Sequence, residues 1–390
     1  MIFSCPIFSK ISDRFGRKIT LLLLPIPQIL ALVMTIVSND LWILYLSRVF
    51  VGIGDGCLYS TLPVYIGEIS VPSIRGVCGN LVSVFILLGV FLINVIGTYL
   101  DVMMTAYICM IVPVVYFILM LFMPESPYYH LTKNDEISAK TSLRRLRGIQ
   151  NVDEIFSKLK LDLDNNLSQA GTWTELVTIK SNRRALIAGV FLRISHQLGG
   201  AATFNVYTKL IFEKSGAELG SEIPSMISSG LGVFFILISG YFIEKLGRKT
   251  SYLFSLSSCG LVLILMAIYF YLDQCVSSLD LSEVKWLPIA GMILFYVFNS
   301  FGLFNIPTLM SGEIFSTSIK AKAMSIVTLT FGLFMFLANT IFHILEAQVG
   351  LFAAMLFFGV ANIVSVVLTV FLIPETKGKT LEEIQQILGG

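Results

Sequence analysis

The sequence predicts an all-α membrane protein built from two similar halves. Hydrophobic residues make up 55% of its 390 residues and charged residues only 13%, and the mean hydropathy is +0.82. A water-soluble domain of this length needs no such excess of apolar residues. The second observation is an internal repeat, which runs parallel with small insertions. The matching residues, 231, 245 and 250 positions apart, are Gly16 and Gly247, Glu68 and Glu313, and Pro124 and Pro374.

Ten apolar stretches have the length of about 20 residues that a helix needs to cross a bilayer. They are residues 19–38, 41–66, 75–99, 103–123, 185–212, 223–243, 250–272, 286–311, 323–345 and 350–373. Residues 1–9 are too short to span and are expected to be the last turns of a helix. The second copy therefore has six spans, whereas the first has four and a part. We expect a chain that lacks one helix and most of another at its N terminus.

The basic residues indicate which loops face the cytoplasm. Of the 27 Lys and Arg residues, 22 lie in the loops that contain residues 10–18, 75, 133–184, 245–249, 320–322 and 377–379. The positive-inside rule places such loops in the cytoplasm. We therefore expect four parts, which are a partial N-terminal transmembrane half (1–123), a cytoplasmic helical linker (124–184), a C-terminal transmembrane half (185–373) and a cytoplasmic tail (374–390).

The linker is predicted to hold amphipathic helices and no catalytic centre. Residues 138–147 and 153–161 carry apolar residues at helical spacing with charged opposite faces. No loop combines a nucleophile, a base and an orienting group, so we expect no enzymatic activity. The six cysteines are isolated and show no metal-ligand spacing. No cofactor or metal is predicted.

Charged residues recur in the predicted cytoplasmic turns of both copies. Carboxylates at helix ends beside guanidinium groups form bidentate contacts that can break and re-form. The alternative is that these charged turns only anchor the loops on the cytoplasmic side of the membrane. The expected cytoplasmic gate consists of Asp13, Arg14, Arg17, Glu68, Arg75 and Glu125 in the first copy, and of Glu244, Arg248, Glu313, Lys320 and Glu375 in the second.

These motifs resemble those of the sugar porters of the major facilitator superfamily, and among them the insect facilitated trehalose transporter-like proteins. The resemblance covers essentially the whole chain. It rests on Asp-Arg-Phe-Gly-Arg-Lys at 13–18, Arg48 with Gly52, Gly54 and Gly56, Pro-Val-Tyr-Ile-Gly-Glu at 63–68, Arg75-Gly76, Pro-Glu-Ser-Pro at 124–127, Gly-Arg-Lys at 247–249, and Pro-Glu-Thr-Lys-Gly at 374–378 with Thr-Leu-Glu-Glu at 380–383.

The resemblance implies a major facilitator fold, of which the first helix and most of the second are missing here. It implies two pseudo-symmetric six-helix halves that rock between outward-open and inward-open states around a central sugar site. We therefore expect a multi-pass protein of the plasma membrane, surrounded by the lipid bilayer, that carries a sugar or related polyol. No nucleic-acid partner is expected. Facilitative transport is the leading hypothesis. The alternatives are a non-transporting sugar sensor and a carrier of an anionic solute.

The candidate substrate cavity lies on the stretch 185–212 and on two other helices. Arg193, His196, Gln197 and Tyr207 fall on one stripe of an otherwise apolar helix, and ionisable residues within a membrane usually face a cavity or a partner. Two alternatives remain open: Arg193 pairs with a carboxylate in a purely structural role, and His196 is a hydrogen-bonded histidine inside the helix bundle. In the first copy, Asn80 and Ser83 either line the cavity or join helices. Asn305 and Thr308, which flank Pro307, are candidates for a gating hinge.

Several positions differ from the residues that the resemblance leads one to expect at a sugar site. Only Gln197 matches the usual sugar-contacting set. A site that has lost amides offers fewer partners to sugar hydroxyls, which is why the identity of the substrate stays open. The departures are Ser83, His196, Ala202, Gly232, Asn305, Thr308 and Phe331.

Overall fold

The computed structural model describes residues 1–71, 74–168, 172–215, 222–276, 284–316, 318–379 and 381–389. Within these ranges all regular structure is helical, which agrees with the predicted fold class. The chain forms two compact units. Unit 1 consists of residues 1–79 and 99–171, and unit 2 of residues 80–98 and 172–390.

Nine helices precede residue 169. Eight of them belong to unit 1, and the fifth is divided, with residues 80–98 in unit 2. They are α1 (Ser4–Phe15), α2 (Arg17–Leu23), α3 (Pro25–Val37), α4 (Leu41–Ile69), α5 (Arg75–Tyr99), α6 (Val102–Phe122), α7 (Pro127–Thr132), α8 (Glu136–Arg147) and α9 (Asp153–Ser168).

Ten further helices belong to unit 2. They are α10 (Glu175–Thr178), α11 (Lys180–Leu198), α12 (Thr203–Lys214), α13 (Glu222–Leu246), α14 (Arg248–Cys275), α15 (Leu287–Phe301), α16 (Ile306–Glu313), α17 (Lys320–Gln348), α18 (Leu351–Leu372) and α19 (Leu381–Gly389).

Nine of the ten predicted spans correspond to helical segments that are long and apolar enough to cross a membrane, counted over the described residues. The predicted span 286–311 is among these nine segments, although it is interrupted at residues 302–305 between α15 and α16. The stretch 185–212 is not among them, and it is also interrupted, between α11 and α12. Gly200 adopts a φ of 87° there, and a Cβ at this position would clash with the Phe204 ring. The prediction of one continuous helix at 185–212 was therefore wrong. Two adjacent glycines end α11, Gly199 as its C-cap and Gly200 with its positive φ.

The core of unit 2 is rich in aromatic rings. Phe204, the second residue of α12, is fully buried and meets three other rings edge-on. Its ring centroid lies 4.8 Å from that of Phe295, 6.0 Å from Phe342 and 5.5 Å from Phe358. Edge-to-face contacts of this kind add to the energy of burial. Helix α12 is thereby held against α15, α17 and α18 directly after the break.

The linker helices α7, α8 and α9 pack on one another. A small cluster of buried residues joins them, with Leu131 from α7, Leu143 from α8 and Phe156 from α9 among its members. Two ion pairs connect α8 with α9, Lys160 with Glu136 at 2.6 Å and Lys140 with Asp153 at 2.7 Å. The helices predicted at 138–147 and 153–161 thus start at or within two residues of the predicted positions.

Candidate functional site

The carboxylate of Glu125, shortly after the end of α6, caps the start of α2 at the turn between α1 and α2. Gly16 adopts a φ of 108°, and the backbone amides of Arg17 and Lys18 donate to Glu125 Oε1 at 3.1 and 3.0 Å. These amides have no acceptor within their own helix, and the helix N-terminus favours a negative charge. A Cβ at Gly16 would clash with Glu125 Oε2. Glycine is therefore required for this close approach.

The same contact recurs in unit 2. Gly247 has a φ of 96°, and Glu375 accepts from the amides of Arg248 and Lys249 at 2.9 and 3.0 Å. A Cβ at Gly247 would lie 2.7 Å from Glu375 Oε2. Glu125 and Glu375 come from the two Pro-Glu motifs, so the sequence repeat corresponds to a repeated capping contact.

An arginine–glutamate pair lies beside each turn. Arg17 Nε donates to both carboxylate oxygens of Glu68, at 3.2 and 3.1 Å, and the two side chains are 12% and 15% exposed. In unit 2, Arg248 Nη2 lies 3.4 Å from Glu313 Oε1, with exposures of 19% and 30%. The pair in unit 1 is shorter and better shielded from water, and a shielded charge pair interacts more strongly.

The residue after each motif glutamate lies beside the pair. Thr376 Oγ1 donates to Glu313 Oε2 at 2.5 Å, and the counterpart of Thr376 in unit 1, the buried Ser126, lies near Glu68. Asp13 adds a contact of 3.4 Å to Arg17, but its side chain is 71% exposed. An exposed ion pair of this kind contributes little.

The other predicted gate residues lie near these pairs with different contacts. Arg14 lies over the ring of Phe15 at 5.3 Å, and Lys320 Nζ donates to the carbonyl oxygen of Gly312 at 2.7 Å. Glu244 is exposed near the end of α13. Arg75 is the first residue of α5, but its side chain lies outside the described part of the chain, and so does the expected contact of Arg75 with Glu68.

The candidate cavity residues on α11 form a cluster with α16 and α17. Arg193 is 9% exposed, and its Nη1 donates to Oγ1 of Thr308 at 3.1 Å. Its guanidinium group lies 5.3 Å from the ring centroid of Phe331. Thr308 itself is exposed. The cation is thus held by a hydroxyl group and an aromatic face.

One turn further along α11, His196 lies between two phenyl rings. It stacks on Phe331 at 5.8 Å and meets Phe304 edge-on at 6.1 Å. Gln197 Nε2 lies 3.4 Å from His196 Nδ1. With the Gln197 amide in this orientation, its nitrogen donates to Nδ1, and the ring proton is assigned to Nε2. We call these five residues, with Thr308, the Arg193 cluster: Arg193, His196, Gln197, Phe304, Thr308 and Phe331.

The buried polar atoms of this cluster that lack a hydrogen-bond partner in the described structure include His196 Nε2, a donor, and Gln197 Oε1, an acceptor. A buried polar atom without a partner costs about 1 to 3 kcal/mol. A hydroxyl group both donates and accepts, so a molecule with adjacent hydroxyls can satisfy both atoms.

The break between α15 and α16 carries a second polar contact. Asn305 Nδ2 donates to Asn80 Oδ1 at 3.2 Å and to Ser239 Oγ at 3.3 Å. These residues join α5, α13 and the segment before α16 within unit 2. The Oδ1 atom of Asn305 is buried and has no partner among the described residues. Polar contacts of this kind hold helices together in membranes.

Four predicted cavity residues are not joined to the Arg193 cluster by a described side-chain contact. Asn80 and Asn305 contact each other, Tyr207 stacks on Phe342 at 4.3 Å, and Ser83 is half-buried on α5. Conversely, the sequence did not mark Phe304 as part of the cluster. Its signal would have been an aromatic residue next to Asn305, which alone is too common to notice. Over the residues described, no group of His, Cys, Asp and Glu side chains is arranged to hold a metal ion.

The family model for the "Sugar (and other) transporter" family matches residues 1–388. The chain belongs to this family. The transporter is a multi-pass membrane protein that moves sugar across a membrane and is not an enzyme, in agreement with the prediction.

Among curated relatives, three insect proteins each named "Facilitated trehalose transporter Tret1" are similar. The transporter is 29% identical to that of Polypedilum vanderplanki over 382 residues, 97% of this chain and 75% of the relative. It is 30% identical to that of Bombyx mori, over 96% of this chain and 74% of the relative. With the Anopheles gambiae protein the identity is 30%, over 97% of this chain and 48% of the relative.

Solved structures confirm the fold. A proton:xylose symporter of the major facilitator superfamily, XylE bound to 6-bromo-6-deoxy-D-glucose, superposes with a TM-score of 0.79 at 20% identity, covering 99% of this chain and 87% of the other. A partially occluded inward-open form of the xylose transporter XylE from E. coli gives a TM-score of 0.80 at 17% identity, covering 97% and 86%. The major facilitator fold predicted from the motifs is therefore correct.

Proposed function

We propose that this transporter carries a sugar or related polyol by facilitative alternating access, and that the Arg193 cluster recognises the sugar hydroxyls. The observation that carries the proposal is the unpartnered pair of His196 Nε2 and Gln197 Oε1. In the arrangement described, Phe331 covers His196. Displacement of this ring would open the pair to a hydroxyl-bearing substrate and relieve two unsatisfied groups.

The relatives narrow the choice of sugar. The similar insect proteins are named as trehalose transporters, and the structural neighbour is named as a xylose symporter. We favour trehalose or a monosaccharide of similar hydroxyl pattern as the substrate. Arg193 supplies a fixed donor to a ring or hydroxyl oxygen, and Asn80, Ser83, Asn305 and Tyr207 are assigned to the remaining wall of the cavity.

The two turns are proposed to act as a cytoplasmic gate. Each joins an arginine, a glutamate from a spanning helix and a capping glutamate from a Pro-Glu motif, which are Arg17, Glu68 and Glu125 in unit 1. The contacts hold three segments at one end of each unit and can be broken without covalent change. The remaining gate residues, Asp13, Arg14, Arg75, Glu244 and Lys320, are assigned a supporting part.

The protein is proposed to lie in the plasma membrane, with the lipid bilayer as its surroundings and no nucleic-acid partner. Residues 124–184 and the tail 374–390 are placed in the cytoplasm because of the bias of Lys and Arg. The parts 1–123 and 185–373 are proposed as the two transmembrane halves. Labelling of a cysteine introduced at Gln150 from outside intact cells would contradict this orientation.

Uptake into proteoliposomes tests the transport proposal. Radiolabelled trehalose, glucose and xylose are offered to the wild type and to Gln197→Ala and His196→Phe variants. Each variant loses one hydroxyl partner, so kcat/KM is expected to fall roughly 5- to 150-fold for the transported sugar. Asn339→Ala is the control, because Asn339 hydrogen-bonds within its own helix. Unchanged uptake in both variants would remove the cluster from the site.

Coupling is tested with the same vesicles. Facilitative transport equilibrates the sugar and is unaffected by collapse of a proton gradient. Accumulation above the external concentration that depends on an inward proton gradient would show symport instead.

A further inference from the structure

Helix α14 contacts both of the interrupted helices that carry the Arg193 cluster. Its residues Tyr252 and Ser255 are fully buried, and they share one face of the helix because they lie three positions apart. Tyr252 contacts α11, whereas Ser255 contacts the break between α15 and α16. The function proposed above gives neither residue a part.

Tyr252 holds α11 at the residue that precedes His196. The Tyr252 hydroxyl lies 2.7 Å from Oγ of Ser195, which is also buried. Ser195 Oγ donates to the carbonyl oxygen of Phe191 at 2.9 Å, so the Tyr252 hydroxyl is assigned as the donor to Ser195. In a buried site, a lost partner is not readily replaced by water. This hydrogen bond therefore fixes α11 directly beside His196.

Ser255 holds the break between α15 and α16 at the residue that precedes Phe304. Its Oγ donates to the carbonyl oxygen of Phe298 at 2.7 Å and accepts from the amide of Leu303 at 2.9 Å. Backbone groups at a break within a membrane helix need partners outside the helix. A hydroxyl group suits this position because it donates and accepts at once. Ser255 thereby joins two backbone groups across the break.

The two interrupted helices meet at the side chain of Leu303, which is fully buried. A Cβ at Gly199 would lie 2.9 Å from both Cδ atoms of Leu303, so this side chain lies against the end of α11. His196 and Phe304 meet edge-on beside this contact, with ring centroids 6.1 Å apart. Apolar contacts are non-directional. The relative position of the two rings therefore depends on the hydrogen bonds to α14.

We propose that Tyr252 and Ser255 are positioning residues for sugar recognition, an inference that rests on the function proposed above. Tyr252 acts through Ser195, and Ser255 acts through the backbone of Leu303. Helix α14 is continuous from Arg248 to Cys275, so it supports two interrupted helices at fixed points. The two hydroxyl groups keep α11 and the segment before α16 in the arrangement that the Arg193 cluster needs.

The KM and kcat of uptake into proteoliposomes test the proposal. Trehalose, glucose and xylose are offered to the wild type, to Tyr252→Phe and to Ser255→Ala. Each variant loses one hydroxyl group, so the KM for the transported sugar is expected to rise roughly three- to tenfold. The kcat per folded transporter should stay near the wild-type value, because the lost contact affects binding. A purely structural role would lower the amount of folded protein and leave KM unchanged, which would overturn the proposal.

Two substitutions in α14 are matched controls. Tyr269→Phe changes another buried tyrosine, and Ser257→Ala removes a hydroxyl group that donates within its own helix, to the carbonyl oxygen of Phe254 at 3.0 Å. Both should keep the wild-type KM. Ser195→Ala should raise KM as Tyr252→Phe does, and combining the two should add less than about twofold, because both act through one hydrogen bond. Effects that multiply would contradict this route.

The nitrogen NMR signals of His196 test its placement without any sugar. The chain has three histidines, so selective isotope labelling of histidine gives few signals, and His196→Phe identifies those of His196. They should shift in Tyr252→Phe and in Ser255→Ala but not in the two controls. Unshifted signals in Tyr252→Phe would overturn the proposal, and this variant decides the outcome if Ser255→Ala does not fold.

The two measurements separate the inference from the proposed function. If the His196 signals shift but Gln197→Ala takes up sugar like the wild type, Tyr252 and Ser255 position His196 and the Arg193 cluster is not the sugar site. If Gln197→Ala is impaired while Tyr252→Phe keeps both the His196 signals and the KM of the wild type, the sugar site stands and the positioning part of Tyr252 is wrong.

Discussion

Asn362 donates a hydrogen bond from Nδ2 to the carbonyl oxygen of Gly199 at 3.1 Å. Asn362 is fully buried in α18, and Gly199 lies where the backbone hydrogen bonds of α11 end. Within a membrane, an interrupted helix is tolerated only if its backbone groups find other partners. This contact supplies such a partner and joins α18 to the break between α11 and α12.

Replacement of Asn362 by Leu is expected to destabilise unit 2 by about 1 to 3 kcal/mol, because the Gly199 carbonyl loses its partner. Thermal unfolding in detergent measures the effect. Asn339→Leu is the control, since the amide of Asn339 donates only to Met335 in its own helix among the contacts described. Equal destabilisation by both substitutions would show that the contact with Gly199 has no particular weight.

Replacement of Gly16 by Ala is expected to displace the Glu125 carboxylate from the start of α2. Gly16 has a φ of 108° and a ψ of 158°, a conformation that costs a residue with a side chain about 1 to 3 kcal/mol, and loss of the cap costs about 1 more. Gly378→Ala is a control for a positive φ in open space, since Gly378 has a φ of 70° and no heavy atom near the added Cβ. If both substitutions lower the melting temperature equally, the close approach of Glu125 is unimportant.

Neutralisation of the two gate glutamates is expected to have unequal effects. Glu68→Gln removes the shielded pair in which Arg17 Nε donates to both carboxylate oxygens, whereas Glu313→Gln removes the longer pair with Arg248. The conformational equilibrium should therefore shift more for Glu68→Gln, by on the order of 1 to 3 kcal/mol. Accessibility of introduced cysteines on the two membrane faces reports the shift. A larger effect of Glu313→Gln would reverse the ranking.

Replacement of Phe331 by Asn is expected to uncover His196 and to provide an amide for a sugar hydroxyl. The KM for the transported sugar should fall severalfold, because less energy is needed to open the cluster. Phe336→Asn on the same helix is the control, as Phe336 is 64% exposed. An unchanged or higher KM in Phe331→Asn, with normal folding, would contradict the covering part assigned to this ring.

The linker is expected to loosen in acid. Hydrogen bonds from Ser138 lower the pKa of Asp135, and hydrogen bonds from Lys160 and Lys140 lower the pKa of Glu136 and Asp153. A carboxyl group with a lowered pKa stabilises the fold above its ordinary pKa, and this contribution is lost as the pH falls through the lowered value.

Helices α8 and α9 should therefore resist cleavage by pepsin at pH 5 and become sensitive below about pH 4. Asp153→Asn removes one contribution and should flatten the pH dependence. Sensitivity that is identical at pH 5 and pH 2.5, after correction for the activity of pepsin, would contradict the expectation.

Charge and repetition made much of this architecture predictable. The Gly-Arg-Lys turns and the Pro-Glu motifs are short sequence patterns that can be recognised without the fold. Because they occur twice, they indicated that Arg17 pairs with Glu68 and Arg248 with Glu313. The break at Gly199 was not predictable, because glycine is tolerated in membrane helices and the apolar stretch continues past it. The cover of Phe331 over His196 depends on packing between helices more than 100 residues apart, which no local pattern reports.

The membership of α5 in unit 2 has a consequence for biosynthesis. Asn94 of α5 hydrogen-bonds Ser229 of α13, 135 residues further along the chain. Ribosomes add about 5 to 20 residues per second, so α5 leaves the ribosome roughly 7 to 27 seconds before its partner. During this interval the amide of Asn94 has no α13 to bind. An insertion factor that shields polar groups in the nascent membrane helix would serve this protein during that delay.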